Sequence, residues 1–310
     1  AGVEFRIVGI GTYVPERRVS NVDRVSAFGF NDNFLSTKLG ITTRAIKEPD
    51  EDTSDLCVKA FSDLAAQHEI SRRDIQLCCV VTQNPDRNIP HTSAIVHEKL
   101  GLSRGCMTFD ISQGCAGYTC GITIVGAVME RLKLDRALLF TCDPYSKIVN
   151  PDDKKTALIF GDAATVSYLK RDGAGYALVD GKFGTAPATT ACLSSNGVLK
   201  MDGASVLLNA SREVPASIRE LLAHNGKTYD DIDLFLLHPG SKRVVDLIRR
   251  ELALDDTKIP FEIESYGNTI SSSIPLMLKR QVVRKEHRRL VLSGFGVGFS
   301  WGSCLIELRS

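Results

Sequence analysis

The sequence predicts an α/β protein. Short apolar runs alternate with amphipathic stretches along the chain, the pattern of strands interleaved with helices. Hydrophobic residues make up 43% of the 310 and charged residues 24%, enough for a sizeable core. Several apolar runs end in a polar, reactive residue just before a helical pattern begins, where α/β folds place ligands.

Strands are expected at 5–9, 77–82, 137–141, 165–169, 234–237 and 290–293, and helices at 54–68, 92–100, 116–132, 214–224 and 241–252. The helix at 54 has a good start: Thr53 and Ser54 precede its periodic apolar residues, and Asp55 falls in its first turn. The glycine-rich polar stretch 181–203 reads as irregular. The chain is expected to divide into a first half, 1–170, and a second, 171–310, although no obvious sequence repeat links them.

The formal net charge of +1 gives no basic field for nucleic acid or an anionic membrane. No apolar run approaches the ~18 residues of a membrane span. Glu4 and Arg6 interrupt the first apolar stretch, which therefore does not read as a signal peptide, and a cytoplasmic protein is expected. The nine cysteines are odd in number and many lie inside apolar runs such as Leu77-Cys78-Cys79-Val80-Val81. They read as buried reduced thiols rather than a disulfide framework, and no paired CxxC spacing points to a metal.

Four segments carry chemistry. In Phe109-Asp110-Ile111-Ser112-Gln113-Gly114-Cys115-Ala116-Gly117-Tyr118 a short run turns through small residues into a long apolar helix. A cysteine at such an elbow feels the positive helix end, which favours the nucleophilic thiolate. A buried cysteine beside a tight turn is an even competitor on this segment alone. Leu234-Phe235-Leu236-Leu237-His238-Pro239-Gly240 puts a histidine at a strand end, unlike the other five histidines. Ser265-Tyr266-Gly267-Asn268-Thr269 before a run of small hydroxyl residues is, alone, an ordinary turn and helix cap. The loop Gly294-Phe295-Gly296-Val297-Gly298-Phe299-Ser300-Trp301-Gly302 permits backbone N–H groups to face a cavity, and it lacks the lysine of a phosphate-binding loop. Together they supply a cysteine, a histidine, an asparagine and backbone donors, a full set for thioester chemistry.

With those four segments the whole chain resembles the β-ketoacyl-acyl-carrier-protein synthase III family of the thiolase superfamily. Ile7-Val8-Gly9-Ile10-Gly11-Thr12-Tyr13-Val14-Pro15 resembles the family's first strand and turn, and Leu39-Gly40-Ile41-Thr42-Thr43-Arg44 its Gly-Ile-x-x-Arg segment. Phe160-Gly161-Asp162-Ala163-Ala164 is similar to its Phe-Gly-Asp-Gly-Ala. Tyr266-Gly267-Asn268-Thr269 and Phe299-Ser300-Trp301-Gly302 are close to family forms.

The resemblance implies a thiolase-like five-layered αβαβα fold of two pseudo-duplicated halves, usually a homodimer. It implies that Cys115 takes an acyl group from acyl-CoA. His238 and Asn268 then hold a malonyl thioester, from malonyl-acyl-carrier protein or malonyl-CoA, for decarboxylative condensation. The backbone of Cys115, Val297 and Gly298 would form the oxyanion hole. Ile89 and Phe295 would line the acyl pocket, with Ile89 on a loop, 84–90, that crosses to a partner subunit. Phe34, Lys154 and Arg243 would bind the CoA or phosphopantetheine. Thioesters carry their own activation, so no cofactor is expected.

Three positions depart from the family. His238-Pro239-Gly240 replaces His-Gln-Ala and resembles type III polyketide synthases, relatives that use CoA thioesters without a carrier protein. Val297 replaces a glycine or alanine, and a lysine often used for carrier docking is replaced near Leu208. A same-fold acyltransferase, passing the acyl group to a hydroxyl or amine without condensation, is the alternative. Asn268 favours condensation, because enolate stabilisation is what needs two donors.

Overall fold

The computed structural model describes residues 4–310, apart from the side chain of Asp32. Five strands come from the first part of the chain: β1 (Arg6–Tyr13), β2 (Leu77–Val81), β3 (Met107–Ile111), β4 (Arg136–Cys142) and β5 (Ala164–Lys170). Four follow: β6 (Gly175–Thr185), β7 (Leu234–Leu237), β8 (Arg289–Phe295) and β9 (Ser300–Arg309). They hydrogen-bond in the order β7-β8-β9-β6-β1-β5-β4-β2-β3.

The second set repeats the first. In the first, β3, β2 and β4 are parallel while β5 and β1 are antiparallel additions. In the second, β7 and β8 are parallel and β9 and β6 are antiparallel additions, with no counterpart of the edge strand β3 among the described residues. The two sets touch where β1 pairs with β6 over Arg6–Ala177 and Ile7–Tyr176.

Six helices cover the strands: α1 (Thr53–Gln67), α2 (Thr92–Leu100), α3 (Gly117–Leu132), α4 (Gly203–His224), α5 (Lys242–Leu252) and α6 (Ser273–Arg284). Side-chain alternation assigns each to a layer. Cys78, Val80, Leu138 and Phe140 pack on α1 and α2 through Leu56, Phe61 and Val96. Their strand neighbours Leu77, Cys79, Val81 and Leu139 face the other way, onto Tyr118 and Ile122 of α3. The same middle core takes in Ile274 and Leu278 of α6 and Leu236, Leu290 and Leu292 of the second set. Phe235, Leu237 and Val291 point outward onto Ile218 and Leu221 of α4 and Val245 and Ile248 of α5. The order is therefore αβαβα, the five layers expected. Strands covered on both faces read as unbroken apolar runs, which is why β2 is Leu-Cys-Cys-Val-Val.

The halves also repeat the corner that leads into the middle layer. After β3 the chain makes a 3-10 turn, Gly114–Ala116, and enters α3; in the second half it makes one at Ile270–Ser272 and enters α6. Cys115 and Asn268 stand at or just before these equivalent corners.

Three local expectations are corrected. The cap of α1 is Asp52, in a reciprocal capping box with Asp55, one residue before the expected Thr53. The stretch 181–203 holds the end of β6 and a small hairpin of Leu193–Ser195 with Leu199–Met201. Helix α4 begins at Gly203, well before the expected 214, because Asp202 accepts hydrogen bonds from the N–H groups of Ala204 and Ser205, and it runs through the internal Pro215. Every cysteine is free, and only Cys106 and Cys120 are partly exposed. No helix of the described residues is long and apolar enough to cross a membrane.

Helix α1 lies directly on β1 at Gly11, where a Cβ would come within 2.2 Å of the Ala60 carbonyl oxygen. Gly11→Ala must push α1 off the sheet, an overpacking cost of about 1–3 kcal/mol. Urea unfolding should show a lower midpoint, and an unchanged midpoint would contradict this packing.

Candidate active site

Cys115 is 3% exposed. The glycines around it are there for space. Gly114 has φ +72°, the left-handed region that favours glycine, and a Cβ on it would meet the Gln83 side-chain oxygen at 2.6 Å. From β8 and the loop beyond it, a Cβ on Gly294 would lie 2.5 Å from the Cys115 carbonyl oxygen, and one on Gly296 only 2.7 Å from Sγ. The backbone of the second half thus rests on the cysteine of the first.

The backbone N–H groups of Val297 and of Cys115 itself lie near enough to the sulfur to favour its thiolate. Burial nevertheless pushes the thiol up to about 12, with the nearby Asp143 carboxylate adding to the rise and the two N–H donors opposing it. The helix end and its N–H groups favour the thiolate, as expected, but desolvation outweighs them and the resting group is the thiol.

His238 follows β7 and is also 3% exposed. Its Nδ1 lies 2.8 Å from Ser273 Oγ, and that hydroxyl already donates to the Ile270 carbonyl at 2.9 Å. Ser273 therefore accepts, Nδ1 carries the proton, and Nε2 presents a lone pair to the cavity. Burial lowers the imidazolium pKa to about 3, so the ring is neutral at rest. Phe295 holds the ring edge-on, with centroids 5.5 Å apart.

Asn268 is held by its backbone: its N–H donates to the Ile159 carbonyl and its carbonyl accepts from Gly161 N–H, both at 2.9 Å. Gly161 is required there, since a Cβ would sit 1.8 Å from the Tyr266 carbonyl oxygen. The side-chain oxygen accepts from Ile270 N–H at 2.9 Å, which turns Nδ2 toward His238 Nε2, 3.5 Å away. The amide thus offers an N–H donor beside the imidazole.

Cys115, His238, Asn268, Phe295 and Gly296 line one cavity of about 100 Å³. A larger groove of about 510 Å³ shares its walls at Ile159, Met201 and Ser241 and opens outward. Phe34, Lys154 and Arg243 line that groove together with Lys38 and Lys155, so these three expected residues lie along one approach to the cysteine. Phe34 is stacked on Phe30 at 4.0 Å.

Gly298 and Ile89 lie outside the lining of this cavity. Gly298 has its carbonyl engaged by Thr189 Oγ at 3.1 Å, and the loop backbone that acts on the Cys115 sulfur is that of Val297. Ile89 lines no part of its own chain's cavity and is 86% exposed at the loop tip. Sequence reasoning missed Asp143, Gln83 and Ser273. Asp143 is fully buried, accepts from Ser271 Oγ and Gln83 N–H, each at 2.6 Å, and is raised by burial to about 6. Asp143 and Gln83 each follow the end of a parallel strand, a position that marks sites in α/β folds; Ser273 was hidden in a hydroxyl run that reads as a cap.

Five αβαβα layers with a cysteine, a histidine and an asparagine converging at the middle define an enzyme of the thiolase fold. Residues 109–187 match the family described as 3-oxoacyl-[acyl-carrier-protein] synthase III, and residues 222–308 match its C-terminal part. The β-ketoacyl-[acyl-carrier-protein] synthase III of Neisseria gonorrhoeae is 31% identical, over 97% of this chain and 98% of its own length. That of Lactobacillus helveticus is 30% identical over 98% of both. The crystallised synthase III of Thermus thermophilus superposes with a TM-score of 0.90 at 29% identity, covering 97% of this chain and 98% of its own. The chain belongs to the β-ketoacyl-[acyl-carrier-protein] synthase III family.

A buried thiol near 12 has a testable signature. The rate of Cys115 alkylation by iodoacetamide, followed by peptide mass, should climb about tenfold per pH unit from 7 to 10 without levelling off. A plateau near pH 7 would mean a standing thiolate and contradict the desolvation argument.

Proposed function

We propose that this chain is an acyltransferase that joins an acyl group, carried on Cys115, to a malonyl unit with loss of CO2. The observation that carries this reading is the convergence on one cavity of a water-shielded thiol with two backbone N–H donors, a neutral imidazole and an oriented amide. In this reading residues 1–170 supply the nucleophile and 171–310 supply His238 and Asn268.

Acyl-CoA enters along the groove of Phe34, Lys154 and Arg243. The Cys115 sulfur attacks the thioester carbonyl, and the oxyanion is met by the N–H groups of Cys115 and Val297. The thiol proton passes to His238 Nε2. Burial disfavours the imidazolium, so the proton moves on to the departing CoA sulfur as the C–S bond breaks. A malonyl thioester then binds with its carbonyl oxygen at Asn268 Nδ2 and His238. Breaking the bond to the carboxylate releases CO2 and leaves its electron pair as an enolate, which these donors stabilise. Between the half-reactions, as CoA leaves and solvent enters, His238 exchanges tautomer: Nδ1 gives its proton to water, Nε2 takes one from water, and Ser273 turns its hydroxyl from the Ile270 carbonyl to Nδ1, so that Nε2 donates. The enolate carbon attacks the acyl-Cys115 carbonyl, the β-ketoacyl thioester leaves, and the Cys115 sulfur takes up one proton.

The malonyl unit arrives on an acyl-carrier protein or on CoA, and the enzyme works as a cytoplasmic homodimer in which the protruding Ile89 enters the partner's acyl pocket. The thioesters supply the activation, so no cofactor takes part.

Two variants test the assignment. Cys115→Ala should abolish the acyl adduct seen by intact mass after incubation with acyl-CoA, while Cys120→Ala should keep it. Full acylation of Cys115→Ala sinks the mechanism. Asn268→Ala should acylate at nearly the wild-type rate but lose about a hundred- to a thousand-fold in malonyl-dependent turnover. Equal losses in both half-reactions would remove Asn268 from the enolate step.

A further inference from the structure

A second cleft, of about 360 Å³, shares no lining residue with the cationic groove. Val297, whose backbone acts on the sulfur, forms one wall, and Leu193 is shared with the cavity around the thiol. Gln83 abuts Gly114, the residue just before the nucleophile. Through that shared wall the cleft adjoins the cavity that holds the thiol, which puts it within reach of an acyl chain on Cys115.

The cleft is lined more by hydrogen-bonding groups than a plain alkyl chain requires. Gln83, Asn84, Ser112 and Ser194 line it with Tyr145 and a few aliphatic residues. The Tyr145 hydroxyl donates to Gln83 Oε1 at 2.9 Å, which fixes the amide and leaves its NH2 as the unengaged end among the described residues. Asn84 is buried, and its side-chain nitrogen has no hydrogen-bond partner. The buried Asn84 donor without an acceptor is a cost in the free protein that a ligand oxygen relieves, and the Gln83 NH2 next to it in sequence is a second donor. Among the described residues no charged side chain lines the cleft, and the buried Asp143 accepts from the N–H of Gln83 in its wall, which disfavours an anion.

We propose that this cleft selects short acyl groups carrying a neutral oxygen acceptor, a hydroxyl or keto oxygen within a few carbons of the thioester, read by Gln83 with Asn84. The inference rests on the reading of Cys115 as the acyl carrier and adds the substrate class.

The test is the kcat/KM for acylation of wild type, by quenched intact mass, with butyryl-, 3-hydroxybutyryl-, acetoacetyl- and succinyl-CoA. One neutral hydrogen bond is worth up to about tenfold, so the hydroxy or keto substrate should exceed butyryl by roughly that factor, with succinyl slower than both oxygenated substrates. Gln83→Met, checked for an unchanged melting temperature, should bring the oxygenated-to-butyryl ratio close to one. A wild type that takes butyryl as fast as the oxygenated substrates, or succinyl fastest, overturns this inference and leaves acylation of Cys115 intact. A wild type acylated by none of the four overturns both. A Gln83→Met protein that keeps the full preference removes Gln83 from the recognition.

Discussion

The structure depends on the close approach of one stretch of backbone to one side chain. The segment from Gly294 to Gly296 lies so near Cys115 that a single methyl group on either glycine would collide with it. That contact joins the end of β8, in the second half, to the elbow after β3, in the first. It closes water away from the sulfur and brings the Val297 N–H onto it. The five layers serve this contact by fixing two sheets on either side of α3 and α6, so that the two corners meet.

The same closeness sets the electrostatics. Exclusion of water raises the thiol and depresses the imidazolium, so the cysteine and histidine rest as a neutral pair. A neutral pair suits a site that must admit a malonyl carboxylate and then lose it as CO2. An imidazolium would hold the carboxylate by charge, whereas neutral N–H donors favour the enolate oxygen that appears once it has gone. Asp143 belongs to this balance: its negative charge near the sulfur disfavours a standing thiolate, and its own elevated pKa reflects the cost of burying it.

Much of the fold was legible in the sequence because period-2 and apolar-run patterns follow directly from strands packed on both faces, as in β2 and β7. The chemistry was legible where glycines crowd a reactive residue, as around Cys115 and before Asn268. What was hidden depends on contacts distant in sequence. Nothing in the local pattern says that α4 runs on through Pro215, or that the backbone of Val297 comes to the Cys115 sulfur. The thiol's resting state was hidden for a related reason: the helix end is local and visible, whereas the burial that overrides it comes from residues nearly two hundred positions away. The donor-rich cleft likewise gathers residues from 83 to 297, and no single segment announces it.

The most direct test of the account is a single-turnover measurement on protein already acylated at Cys115. Malonyl thioester labelled at its free carboxyl is added, and labelled CO2 and the β-ketoacyl thioester are followed together with loss of the acyl-enzyme mass. The account predicts that all three change with one rate constant and in equal amounts, on a malonyl carrier protein or on malonyl-CoA. Departure of the acyl group from Cys115 without matching CO2 would contradict it, because the His238 and Asn268 donors would then have no enolate to stabilise.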